Sequence, residues 1–100
     1  MLPLTIRRVV GHSMLPTLPP GTLIWGFRWY NRLKVGDVVI FRHDNKEKIK
    51  RISRVNGDQI ELLGDNTSDS ADSKQFGFVQ LSDISAKVIW PRSGTKRIEI

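Results

Sequence analysis

The first place in this 100-residue chain where side-chain chemistry becomes a question is the stretch Gly11-His12-Ser13-Met14-Leu15-Pro16-Thr17-Leu18. A serine hydroxyl attacks a carbonyl only when a base takes its proton. His12 is adjacent, but neighbouring side chains in an extended segment point to opposite sides, so it is badly placed to serve. His43 sits in the polar run His43-Asp44-Asn45 and reads as a solvated loop histidine. Lysine is the other source of a base. An amine buried among apolar groups loses the water that stabilises its charge, and destabilising the ammonium by about 3 kcal/mol makes the neutral amine available near neutral pH. A Ser-Lys dyad is one reading of Ser13; a serine that only turns a corner is the other.

Other chemistries are narrowed by composition. The chain has no cysteine, which removes disulfides, thiolate metal sites and a cysteine nucleophile. Its two histidines are too few for a histidine cage unless carboxylates complete it, so no metal and no cofactor are expected.

The elements that must position such residues read mainly as strands. Segments rich in β-branched and aromatic residues run over 4–10, 22–27, 37–42, 48–55, 59–64, 76–81 and 86–90. Between them lie turn-forming stretches at 18–21, 34–37, 43–47 and 56–58, and the polar run Asp65 to Lys74. Asn56-Gly57-Asp58 predicts a β-hairpin between two of the strands, because Asn and Gly tolerate the positive φ of tight turns. Alternation puts Lys48, Lys50 and Ile52 on one face of the 48–55 strand and Ile49, Arg51 and Ser53 on the other. Helix is limited to one or two short turns, at Met14 to Thr17 and after Ser82 as N-cap. The expectation is one all-β, mainly antiparallel domain over residues 1–100. With 39% hydrophobic and 26% charged residues it has the composition of a chain that folds alone.

Four segments, taken together, resemble the successive boxes of the type I signal peptidase family: GHSMLPTL, KVGDVVIF, IKRISRVNGD and GDNTSDSADSKQFGFV, in that order. The resemblance covers about residues 11 to 90. It implies the β fold that this family shares with the self-cleaving repressors, and a serine endopeptidase that removes a signal or leader peptide from a precursor protein. It implies Ser13 as nucleophile, Lys50 as general base, and Ser70 as the serine that orients the lysine amine. Asp72 and Lys74 would match a charged pair that steadies the Ser70 loop, with Lys where the family usually has Arg. Met14 and Pro16 would shape the turn that presents Ser13 and line the substrate cleft. The Ser13 N–H would hold the oxyanion. Some members add a hydroxyl two residues before the nucleophile, where this chain has Gly11. The family normally carries anchoring helices ahead of the serine box, and twelve residues precede Ser13 here. That compactness resembles the small maturation proteases of nickel-type superoxide dismutase. Trp90-Pro91 echoes a similar pair late in many members.

The partners follow from charge and aromatics. A formal charge of +6 favours anionic partners, although the basic residues are scattered. No run approaches the 18 or so apolar residues of a spanning helix, and the start lacks the charge order of a secretion signal. The chain reads as soluble or peripheral to a membrane, or as a piece whose anchor lies outside it. The strip Trp25 to Leu33 interleaves Trp25, Phe27, Trp29 and Tyr30 with Arg28 and Arg32. It reads equally as a lipid-interface strip or as half core and half surface. The rival reading is a non-catalytic basic β-module binding nucleic acid or anionic lipid, which would leave the four ordered boxes as coincidence. A protease fold that has lost its full oxyanion hole is a third.

Overall fold

A computed structural model describes residues 3–66 and 77–91. Seven strands form one antiparallel sheet: β1 (Leu4–Arg8), β2 (Leu23–Phe27), β3 (Val38–His43), β4 (Lys46–Asn56), β5 (Gln59–Leu63), β6 (Gly77–Gln80) and β7 (Ile84–Trp90). Their order across the sheet is β1-β2-β7-β3-β4-β5-β6. All seven expected strands are present, with ends that differ by a few residues from the sequence reading.

β3 explains why both faces of the sheet are covered at its centre. Its Val38, Val39, Ile40 and Phe41 are all buried, as expected of an uninterrupted apolar run with covered faces. Val38 and Ile40 join Val9, Met14, Leu18, Ile24, Ala86 and Val88 in one core. Val39 and Phe41 join Ile52, Ile60, Leu62, Val79 and Ile84 in a second core on the other side. The first core is closed by the loop between β1 and β2, which folds back so that Met14 and Leu18 lie inside.

The hairpins have the expected chemistry. β4 and β5 meet with Asn56 opposite Gln59, and Gly57 takes φ 63° at the turn. The His43–Lys46 hairpin turns on Asp44 (φ 53°) and Asn45 (φ 64°), the two residue types other than Gly that best tolerate this region.

Two local expectations change. Met14 to Thr17 makes a single hydrogen-bonded turn, closed by the Leu18 N–H on the Met14 carbonyl at 2.8 Å, and no helix. The short 3-10 turn Leu81–Asp83 is capped by Gln80, whose N–H donates to Asp83 at 3.2 Å; Ser82 lies inside the turn rather than at its cap. Asp83 can reach back because it stands three residues after Gln80, the capping-box spacing.

Candidate active site

Ser13 sits in the β1–β2 loop, half-buried, just before the buried Met14 that anchors the loop in the first core. The loop is tied down twice more from a distance. The Asn66 N–H donates to the Ser13 carbonyl and the Asn66 side-chain amide donates to the His12 carbonyl, both at 2.9 Å. Gly11 has φ 85°, a conformation that suits glycine, and an added Cβ there would meet nothing within 4 Å. Among the described residues no group accepts from the Ser13 N–H, which leaves it available as an oxyanion donor.

Lys50 comes from β4 and is 8% exposed, a rare degree of burial for a lysine. It lies opposite Val39 and on the same strand face as Ile52, both members of the second core. Met14 belongs to the first core, so the serine loop and the lysine approach from different faces of the sheet. Among the described residues β5 pairs with β4 from Arg51 onward, and the chain then runs on to Asn66, which bonds the Ser13 loop. Ser13, Met14 and Lys50 line one cavity of about 400 Å³ there, with no direct hydrogen bond between Ser13 and Lys50. Pro16 is exposed and is not among the lining residues. Ser70, Asp72 and Lys74 lie outside the described residues.

Sequence reasoning missed the residues that hold these two together. Arg51, next to Lys50 and pointing the other way, makes a two-pronged pair with Asp65, with Nε–Oδ1 and Nη2–Oδ2 each 2.8 Å. Its Nη1 donates to the Gly36 carbonyl at 2.6 Å. Buried Asp37 accepts from the Lys34 N–H at 2.9 Å and lies 3.6 Å from the Lys87 ammonium. The backbones of Gly36 and Asp37 then bond Ile52, at 2.9 and 2.8 Å. Arg51, Asp65, Lys34 and Asp37 each belong to a box that carried the resemblance, and the boxes were the available signal; Lys87 lies outside them. Their pairing was not legible, since it depends on strand register.

Among the described residues, the basic side chains Arg7, Arg8, Lys48 and Lys50 line the cavity together with the carboxylate of Glu47. Arg7 grips Glu47 through Nε–Oε1 at 2.7 Å and Nη2–Oε2 at 3.1 Å. The hydrogen bond from Arg7, helped by the charges of Arg7, Arg42 and Arg28 and opposed by burial, holds the Glu47 carboxyl below the usual carboxylate range. The same hydrogen bond raises the Arg7 guanidinium further. Among the described residues no cluster of three or more His, Asp or Glu could hold a metal ion.

Residues 3–88 match the Peptidase S24-like family. The chain belongs to that family of peptidases. It is also 32% identical over 109 aligned residues to the "Mitochondrial ATP-independent inner membrane protease subunit 1b" of Arabidopsis thaliana, a match that covers 80% of this chain and 64% of that protein. Both findings agree with the resemblance to signal peptidases, and neither points to the superoxide dismutase maturation subgroup. No helix among the described residues is long and apolar enough to cross a membrane.

Proposed function

We propose that this peptidase is a serine endopeptidase in which neutral Lys50 activates Ser13 to cut a signal or leader peptide from a precursor. The observation that carries the reading is a buried lysine on the wall of the cavity that also holds a half-buried serine. Lys50 takes the Ser13 Oγ proton as the oxygen bonds the scissile carbonyl carbon, and the Ser13 N–H receives the developing oxyanion. Collapse breaks the C–N bond, the Lys50 ammonium returns its proton to the departing amine, and an acyl-enzyme is left. Lys50 then takes a proton from water, the hydroxide adds to the ester carbonyl, and Ser13 is released with its proton restored. Ser13 and Lys50 close to hydrogen-bond distance when substrate fills the cavity, as catalytic contacts commonly do on going from the free to the bound enzyme. Ser70 orients the amine.

The substrate is an extended segment with small side chains at the first and third positions before the cut. It lies beside a β-strand in the manner of an added strand. The similarity to an inner membrane protease subunit supports work at a membrane surface. So does the outer face of β1, β2 and β7, where Ile6, Trp25 and Trp90 are 49%, 38% and 57% exposed.

The test compares wild type, Ser13→Ala and Lys50→Ala on a peptide carrying an Ala-x-Ala site. Both variants should keep the wild-type circular dichroism spectrum and lose at least about 10³-fold in kcat. Equal turnover by Lys50→Ala and wild type would remove the dyad. A basic binding module would give no turnover with any of the three.

A further inference from the structure

We propose that the hollow between the β2–β3 loop and β7 binds a phosphate group, held by Arg32, Lys34 and Lys87, on a ligand whose organic part rests against Trp29. Its described lining shares no residue with the cavity of Ser13 and Lys50, so the site is a second one and stands apart from the catalytic reading.

The loop that follows β2 is pinned where it crosses the second core. Tyr30 and Leu33 pack against that core, and the Tyr30 hydroxyl donates to the Ile84 carbonyl at 3.2 Å. A tight turn then fixes Lys34: the Asp37 N–H donates to the Lys34 carbonyl at 3.0 Å, and the Asp37 carboxylate accepts from the Lys34 N–H at 2.9 Å. Arg32 and Lys34, on either side of the inward Leu33, are exposed. Across from them runs β7, with Lys87 in register with Phe27 of β2. The three cations line one hollow of about 300 Å³, and aromatic side chains supply much of the remaining wall.

Charge is what sets this hollow apart. Other basic side chains are spent on acids: Arg7 on Glu47, Arg51 on Asp65 and Arg54 on Glu61. Among the described residues, only Lys87 of the three cations has an acid within ion-pair reach, the buried Asp37 carboxylate at 3.6 Å. Three cations and one carboxylate leave two positive charges around a small volume. Their mutual repulsion is a cost that a bound anion removes. A carboxylate or a phosphodiester brings one negative charge. A phosphate monoester brings about −1.5 to −2 near neutral pH, with three strong acceptor oxygens. Arg32 meets such a group with a planar fork, and the two lysines meet it as point charges. Trp29 is 62% exposed and offers an apolar surface to whatever carries the phosphate. A lipid headgroup and a soluble phosphate ester both present this group.

The experiment titrates phenyl phosphate into the protein and follows backbone amide shifts by NMR. Binding should saturate and move the signals of Trp29 to Lys34 and of Lys87. Phenyl sulfate, of similar shape but with one charge, should bind at least about fivefold more weakly. The double variant Arg32→Gln, Lys34→Gln should weaken phenyl phosphate at least about tenfold. The double variant Lys46→Gln, Arg54→Gln removes the same charge from β4, outside the described lining, and should weaken it less than about twofold. All four side chains are exposed, so both variants should keep the wild-type circular dichroism spectrum. Vesicles of phosphatidylcholine with and without phosphatidic acid then separate the sources. Retention that needs phosphatidic acid and is lost in the Arg32, Lys34 variant marks a lipid headgroup; phenyl phosphate binding without such retention marks a soluble ester. Equal weakening by the two double variants, equal affinity for sulfate and phosphate, or no saturable binding of either phosphate probe would overturn the proposal. None of these readouts needs turnover, so failure of the peptidase reading is told apart from failure of this one.

Discussion

Lys50 and Arg51 are consecutive and face opposite ways, and the second fixes the first. Arg51 spends its fork on Asp65 and Gly36, with 16% and 9% exposure on the two sides of the ion pair. Asp65 is followed by Asn66, which holds the carbonyls of His12 and Ser13, so one buried contact ties the β4 backbone to the serine loop. Removing one partner of a largely buried pair leaves the other charge without compensation. Asp65→Asn should lower stability by about 2–3 kcal/mol, read as an earlier urea midpoint with unchanged slope. It should also lower kcat more than KM, because the loop that presents Ser13 loses its reference to β4. A shift below about 0.5 kcal/mol would mean that the Arg51 contacts besides Asp65 suffice to hold it. Ser13 and Lys50 were legible because each stands in a box with a fixed order of neighbours. The Arg51–Asp65 pair was not, since it joins residues fourteen apart through a strand pairing that the residue types do not state.

Strands were readable because their sequences state both their period and their ends. β3 is a short apolar run between Asp37 and Arg42, and β4 to β5 is an Asn-Gly hairpin. What the pattern concealed is how tightly β2 must approach its neighbours. A Cβ at Gly26 would stand 3.0 Å from Ala86 Cβ and 3.1 Å from both Ile40 Cδ1 and Thr5 Cγ2. Glycine there is a packing requirement of the first core, in the middle of a strip whose other residues are large. Gly26→Val should destabilise the fold by about 2–3 kcal/mol through overpacking, measured by thermal or urea unfolding. A neutral result would show that β1 and β7 can separate at no cost. The aromatic strip is part core and part surface. Tyr30 packs against the second core and donates to the Ile84 carbonyl at 3.2 Å, and burial raises its hydroxyl pKa. Trp29 is 62% exposed.

At the scale of the whole molecule, apolar groups collect on one outer face. Pairing puts Leu4 beside Phe27 and Ile6 beside Trp25, with Trp90 across from Trp25, while Thr5 and Gly26 turn inward. Nearby, a hollow of about 300 Å³ is lined by Phe27, Trp29 and Ile89 and by the cations Arg32, Lys34 and Lys87. Exposed Trp beside Arg and Lys suits the boundary of an anionic bilayer. The protein should bind vesicles containing anionic lipid with a blue shift of tryptophan emission, and the double variant Trp25→Ser, Trp90→Ser should bind about tenfold more weakly. Equal binding by wild type and the double variant would remove this face from consideration. The sequence by itself determined the strands, their turns, the net positive charge and the family, because periodicity, turn chemistry and ordered boxes are properties of neighbours along the chain. Only the tertiary structure decided that Lys50 and Ser13 come from different faces to share one cavity, that Arg7 reaches Glu47, and that the tryptophans stay outside. Each of those depends on strand order and register, which are set by packing between residues distant in sequence.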